Sequence, residues 1–318
     1  MIRRLEGWSA PSNPRHTGEA AELLALLYDT AGRGIITGQH TQTNGMEEID
    51  YIRAVTGKAP MLQGFELLAY SPNINREESG EECLREVDEN RLTMDTALRW
   101  AKESGGIVTL TFHWFSPIGG RDKSFYAKNT DFDAEKILRE GTEEREAFYR
   151  DLDVIATQLT RFADAGIPVL WRPFHEADGD WFWWGAKGSR VARQLYRMMY
   201  DYYLEKGLNN LLWVWSCSAV EGYPGDSRVD VVAADVYRDS YEATDYGGEY
   251  ERLIRANGRH KVAALGEVGY LPDVRRLEDS HMPWAYYMTW SKEFCIGDRY
   301  NKAEQLRKMY ESDYARTL

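Results

Sequence analysis

Along this chain, short apolar runs that end in polar residues alternate with stretches whose apolar positions recur at helical spacing. The runs are Gly34–His40, Ala59–Glu66, Gly106–His113, Ile167–Leu170, Leu211–Ser216, Val229–Tyr237, Lys261–Glu267 and Pro283–Trp290. Each is short, nearly continuous in apolar residues and rich in β-branched or aromatic side chains, which predicts a strand buried on both faces. Helices are predicted near Met46–Val55, Arg91–Glu103, Glu144–Ala165, Ser189–Glu205, Tyr250–Ala256 and Lys302–Tyr314. The polar excursion Ser71–Asn90 and the Gly-, Lys- and Asp-rich segment after the third strand read as loops. Eight strand-then-helix units with such strands predict an α/β fold, a single (β/α)8 (TIM) barrel. An open, doubly wound sheet is the alternative, disfavoured because no Gly-rich phosphate turn follows the first strand. No internal repeat or linker divides residues 1–318, so one barrel domain is expected.

Composition changes this picture little, but charge and cysteine content narrow the function. A formal net charge of −12 disfavours nucleic acid and anionic membranes as partners. No run approaches the roughly 18 apolar residues of a membrane span. Met1–Trp8 carries two positive charges with no apolar run of signal-peptide length behind them. The expectation is a cytoplasmic protein, or a secreted one if a leader has been removed. Cys83, Cys217 and Cys295 are odd in number and far apart, a pattern of neither a disulfide framework nor a zinc site. The 11 Trp and 20 Tyr matter more, because the aromatics gather at the predicted strand ends.

The densest such end follows Ile167–Leu170: Trp171-Arg-Pro-Phe-His-Glu176, then Gly179 and Trp181-Phe-Trp-Trp-Gly185. Arg172, His175 and Glu176 have no use in an apolar strand, and charged groups are rarely buried unless paired or functional. Aromatic faces suit the C–H faces of a sugar ring, and carboxylates suit its hydroxyls and glycosidic oxygen. In a barrel the chemistry sits at the carboxyl ends of the strands. Read in order, those ends are Gln39-His40, Glu66, His113-Trp114, His175-Glu176, Trp215-Ser216, Asp235 to Tyr237, Glu267 and Trp290. Glu176 and Glu267, on strands four and seven, are expected to face each other across the barrel. Glycosidic cleavage needs such a pair, about 5–5.5 Å apart for retention and about 6.5–9.5 Å for inversion.

Blander readings stand beside this one. Glu176 fits a structural pairing with Arg172, the Trp181–Trp184 cluster fits a core, and Gly222–Asp226 fits a simple turn. His40, His113 and His175 lack the His-x-His or H-E-x-x-H spacing of metal sites, so no metal or other cofactor is expected. A non-catalytic sugar-binding barrel is the alternative from a different class.

The run W-R-P-F-H-E with G-x-W-F-W-W-G resembles the acid/base segment of glycoside hydrolase family 26, largely β-mannanases. Tyr223–Asp226 followed by Val229–Tyr237, Glu267 within Gly266-Glu-Val-Gly269, and Trp290 are similar to the family's later motifs, in the right order. The resemblance implies a retaining two-carboxylate hydrolase of β-1,4-mannosidic bonds in mannan, glucomannan or mannooligosaccharides. Relatives that cleave β-1,3-xylan or mixed-linkage β-glucan are the alternative within the class. It implies Glu176 as general acid/base and Glu267 as nucleophile, with His175 and Tyr237 orienting the nucleophile and Arg172 supporting it. It also implies that His113, Trp181 and Trp290 line the cleavage subsite, with Trp114 beside them. Glu176, among aromatic walls, is expected to hold its proton near neutral pH, and Glu267, near Arg172 and Tyr237, to stay ionised. One departure is Glu66, which ends the second strand where Asp is expected.

Overall fold

A computed structural model describes residues 9–42 and 44–318. The Met1–Trp8 segment, read above for a leader, lies outside the described residues. Eight strands form the barrel. β1 is broken at Thr37 into Ile35–Ile36 and Gly38–Thr41, followed by β2 (Leu62–Glu66), β3 (Ile107–Thr111) and β4 (Val169–Arg172). The rest are β5 (Leu211–Ser216), β6 (Val231–Val236), β7 (Val262–Val268) and β8 (Trp284–Thr289). Each pairs in parallel with its sequence neighbour, and β8 returns to β1 through Tyr286–Ile36 and Thr289–Gln39, which closes the sheet. A short ninth strand, β9 (Ala315–Arg316), adds to the start of β1. All eight anticipated barrel strands are present, with ends shifted by a few residues.

The helices are α1 (Gly18–Thr30), α2 (Glu47–Thr56), α3 (Glu81–Glu89), α4 (Thr93–Ser104) and α5 (Glu143–Asp164). They continue as α6 (Ser189–Glu205), α7 (Gly247–Asn257), α8 (Val274–Ser280) and α9 (Ala303–Glu311). Three of these, α1, α3 and α8, were not expected. Inside the excursion read as a loop, α3 exists because Cys83 and Val87, one turn apart, bury themselves while the rest of the helix, Leu84 apart, is polar. α1 begins with Thr17, whose hydroxyl accepts the Ala20 N–H.

Alternation along the strands explains why they read as continuously apolar. On β5, Leu212 and Val214 face the barrel interior, whereas Leu211, Trp213 and Trp215 face the helical ring. On β7, Val262 and Ala264 point in, and Ala263 and Leu265 point out. Leu23, Leu24 and Leu27 of α1 join the interior cluster and so plug the amino-terminal end of the barrel. The opposite end stays polar, and it carries the site. Gly64 lets Met288 and His40 pack against the backbone there: a Cβ would stand 2.4 Å from the Met288 sulfur and 2.9 Å from the His40 ring.

Two expectations about geometry are corrected. The fourth strand starts at Val169 rather than Ile167, since Pro168 has no N–H to give a ladder, and it runs on through Arg172. Arg172 is thus a strand residue that points inward, not one that follows the strand. Strands four and seven are separated by only β5 and β6, so they are not diametrically opposed. Their side chains meet because both point into the mouth.

One buried carboxyl couples the helical ring to this mouth. Asp151 of α5, 1% exposed, accepts hydrogen bonds from Trp114 Nε1 at 2.7 Å and Asn73 Nδ2 at 3.2 Å. Burial pushes its pKa up to about 7, against the pull of those two donors. A carboxyl whose pKa is raised on folding gives stability that is present at low pH and lost as pH climbs toward the folded value. The melting temperature of the wild type relative to Asp151→Asn should therefore fall between about pH 4 and about pH 7 and level off above that. A pH-independent difference between the two melting curves would contradict this assignment.

Candidate active site

β4 ends at Pro173, which cannot continue the hydrogen-bond ladder. Beyond it the chain turns sharply, with Phe174 at φ 48° and Glu176 at φ 53°, both in the left-handed region that non-glycine residues seldom occupy. Such positions cost about 1–3 kcal/mol each and persist only where surrounding contacts over-determine them. Those contacts are present. The Glu176 N–H donates to Asp235 Oδ2 at 3.3 Å, and Trp184 Nε1 donates to the His175 carbonyl at 2.9 Å. Trp183 Nε1 donates to the Trp114 carbonyl at 2.6 Å.

The aromatic cluster divides into two functions. Phe182, Trp183 and Trp184 are buried and form the scaffold of the turn, so the reading of all four as walls is corrected for these three. Trp181 alone is open, 47% exposed, and its Nε1 donates to Glu176 Oε2 at 2.7 Å. Gly179 permits this, because a Cβ there would lie 2.2 Å from the Trp181 ring. Trp114, 1% exposed, supports the site from beneath rather than lining it, its ring packed between Phe112, Phe148 and Trp183.

Opposite Glu176 stands Glu267 near the end of β7, buried to 4% exposure. Its Oε2 lies 2.6 Å from Arg172 Nη2, and its Oε1 accepts the Tyr237 hydroxyl. Arg172 also reaches Asp235 Oδ1 at 3.0 Å and the Thr111 hydroxyl at 3.2 Å. Burial opposes charge on Arg172, but Asp235 and Glu267 outweigh it and raise the guanidinium pKa. Asp235 is itself pushed up by burial against the pull of Arg172, and it accepts the Ser216 hydroxyl at 2.6 Å.

One guanidinium thus pairs with two of the three carboxyl groups in the mouth, Asp235 and Glu267, and makes no ion pair with the third, Glu176. The group farthest from it bears the consequence. Desolvation, then the charges of Glu267 and Asp235, push the Glu176 pKa up to about 8, although the Trp181 hydrogen bond and His113 pull it back. Glu176 thus holds a proton at neutral pH while sitting beside a carboxylate locked by an arginine. Two carboxyl groups so differentiated can act as an acid and a base or nucleophile on one bond.

A line of imidazoles forms the third side. Glu66, fully buried, accepts the His113 ring Nδ1 at 2.8 Å, the His113 N–H at 2.8 Å and the Leu68 N–H at 3.0 Å. Burial lowers the His113 pKa, but the Glu66 charge and hydrogen bond overcome it and leave a net rise. His175, 3.1 Å away between Nε2 atoms, is pushed well below its ordinary value by burial and by the His113 and Arg172 charges. When His113 carries protons on both ring nitrogens it gives one to Glu66 and the other to His175; when neutral, with its proton on Nδ1, it accepts from His175 instead. Trp290 stacks on His40 at 3.9 Å and stands 5.8 Å from the His113 ring. Among the described residues no group of three or more His, Cys, Asp or Glu is placed to hold a metal ion.

The mouth gathers Arg172, His175, Glu176, Trp181, Tyr237, Glu267, His113 and Trp290, all expected from sequence. The residues given no role were Asp235, Glu66 and His40. Each lies at or next to the end of a strand, and of the two carboxylates in the run Val229–Tyr237, Asp230 and Asp235, the latter could have been found as the one at the carboxyl end.

The geometry defines a (β/α)8 barrel whose mouth presents a protonated and an arginine-bound carboxyl to one cleft, the arrangement of a glycoside hydrolase. The model of Glycosyl hydrolase family 26 matches residues 12–317, and the chain belongs to this family. A mannan endo-1,4-beta-mannosidase of Thermothelomyces thermophilus is 37% identical over 96% of this chain. The chain spans 62% of that relative's length. The GH26-CBM35 beta-(1,4)-mannanase of Podospora anserina superposes with a TM-score of 0.86 at 34% identity, covering 96% of this chain and 67% of that one. A beta-mannanase from a symbiotic protist of the termite Reticulitermes speratus, solved with gluco-manno-oligosaccharide, gives a TM-score of 0.83 at 31% identity. That match covers 98% of each chain.

The electrostatic reading predicts how Glu176 titrates. Its carboxyl carbon, followed by NMR, should show a midpoint near 8, which falls in Glu267→Gln and rises in Trp181→Phe. A midpoint near 4.5 in all three proteins would refute the account.

Proposed function

We propose that this chain is a retaining β-mannanase, which cleaves β-1,4-mannosidic bonds in mannan, glucomannan or mannooligosaccharides. The observation that carries the mechanism is the asymmetry of the two carboxyl groups: Glu176 keeps its proton up to about pH 8, and Glu267 is fixed by Arg172 and Tyr237. The names of the relatives support the substrate class: mannan for one enzyme and a bound gluco-manno-oligosaccharide for another.

In the first step the Glu267 carboxylate attacks the anomeric carbon while Glu176 gives its proton to the glycosidic oxygen. The C–O bond breaks, the shortened chain leaves as an alcohol, and the sugar remains as an ester on Glu267. In the second step Glu176, now ionised, takes a proton from water as the water oxygen attacks the same carbon. The ester bond breaks, Glu267 is restored, and the configuration is retained.

The remaining residues hold these two in register. Arg172 and Tyr237 fix the carboxylate of Glu267, so little reorganisation is needed at attack. Trp290 offers a flat face beside His113 for the sugar undergoing cleavage. Trp181 holds the Glu176 side chain and offers an exposed ring to the departing sugar.

Product analysis on mannan, glucomannan, β-1,3-xylan and mixed-linkage glucan tests this function. Short mannooligosaccharides are expected from the wild type, and Glu267→Ala should be silent on every substrate while remaining folded. Release from xylan or glucan alone would keep the mechanism and replace the substrate; wild-type silence on all four, and on mannooligosaccharides, would sink the proposal. Glu176→Ala should lose about 10²–10⁴-fold on the natural linkage but far less on aryl mannosides, whose leaving groups need little protonation. The alkaline limb near pH 8 should disappear with it on the aryl substrate. Equal losses on both substrates would remove Glu176 from the acid/base role.

A further inference from the structure

A groove on the flank of the barrel takes no part in the site described above. It lies between α8 and α9, reaches the loops that follow β6, β7 and β8, and has a volume of about 780 Å³. Its origin is the length of α8. With only seven residues, two turns, α8 leaves a side of α9 uncovered, and Glu304, Gln305 and Lys308 form the groove's wall there.

The upper part of the groove is aromatic. Tyr241, 38% exposed, stands 6.0 Å from the Tyr270 ring, which stands 5.4 Å from Tyr300. Arg299 lies over the Tyr300 ring at 5.2 Å. The opposite side of this aromatic layer is the active site: Tyr300 packs on Phe294 at 4.2 Å, and Phe294 packs on Tyr237 at 5.3 Å. Tyr237 is the residue whose hydroxyl donates to Glu267. The groove and the site are thus two faces of one wall.

The chemistry of the lining selects its occupant. Five carboxylates and four cationic side chains line the groove, so their charges nearly cancel. A polyanion or polycation would find as much repulsion as attraction there. Tyr270 is buried and Tyr300 lies under Arg299, so Tyr241 is the open ring; beside carboxylate, amide and ammonium groups it fits a neutral ligand with a C–H face to stack and many hydroxyls to pair. The volume falls within the range of sites that hold small ligands, about 300–1,000 Å³.

We propose that the groove between α8 and α9 is a second carbohydrate-binding site, which holds a stretch of neutral β-mannan outside the cleavage cleft. The inference rests on the mannanase reading. Its role is to keep the enzyme on the polymer, so it affects polysaccharide and not short oligosaccharides that fill the cleft alone.

The test uses Tyr241→Ala and, separately, Arg299→Ala, neither of which touches the cleft residues. In a Glu267→Ala background, which leaves the polymer intact, each should weaken retardation by soluble glucomannan in affinity electrophoresis by about three- to tenfold. In the active chain, each should leave kcat/KM on mannotetraose unchanged, which also reports that the fold is intact. Retardation equal to that of the Glu267→Ala parent in both variants, with wild-type hydrolysis of glucomannan, would overturn the groove alone. Loss of mannotetraose turnover in both variants would also overturn it, because the residues would then act through the cleft. Failure of the wild type to bind or cleave glucomannan would overturn the mannanase reading and this inference with it.

Discussion

The buried guanidinium of Arg172 is the constraint on which the mouth of this barrel depends. Fully enclosed at the end of β4, it bridges Asp235 on β6 and Glu267 on β7 and reaches Thr111 on β3. An arginine in such a place must be paired, and removing one partner of a buried ion pair costs about 3–5 kcal/mol. The bridge thus fixes four strands relative to one another where the sheet runs out of ladder hydrogen bonds. It also allocates charge. With one cation among three carboxyl groups, proximity decides which of them keep a proton, and Glu176 is the one left without the cation's help.

The turn after β4 explains how Glu176 comes to that position. Its strained backbone holds because three indoles clamp it, two by donating to carbonyls of the turn and its neighbour and one by donating to the carboxyl itself. Packing energy from Phe182, Trp183 and Trp184 offsets the strain, and Trp181 remains free to face solvent. Function and scaffold therefore sit side by side within four consecutive residues, Trp181 and then Phe182 to Trp184, so a motif that looks like a single aromatic patch does two separate things.

Much of this was legible in the sequence, for physical reasons that differ between elements. The barrel strands were visible because a strand buried on both faces must be apolar throughout, and Val262–Leu265 or Leu211–Trp215 could be little else. The site was visible because polar residues at the ends of such strands have no structural excuse. Helix α3 was not, since a helix that buries only Cys83 and Val87 shows too little periodicity against nine mostly polar residues. The direction of side chains was also hidden. Nothing local distinguishes Trp181, which faces solvent, from Trp183, which is buried and donates to the carbonyl of Trp114, far away in the chain. Asp235 escaped because its importance lies in its partners, Arg172 and the Glu176 backbone, which only the closed barrel brings to it.

The central claim is that Glu267, held by Arg172 and Tyr237, forms a covalent bond to the sugar. Incubation with 2-deoxy-2-fluoro-β-mannosyl fluoride, followed by intact-protein mass measurement and peptide mapping, addresses it directly. The account predicts a single 2-fluoromannosyl adduct located on Glu267. An adduct on Glu176 or Asp235 would reverse the assignment of roles, and hydrolysis of a β-mannoside with inversion and no adduct would contradict the double displacement itself.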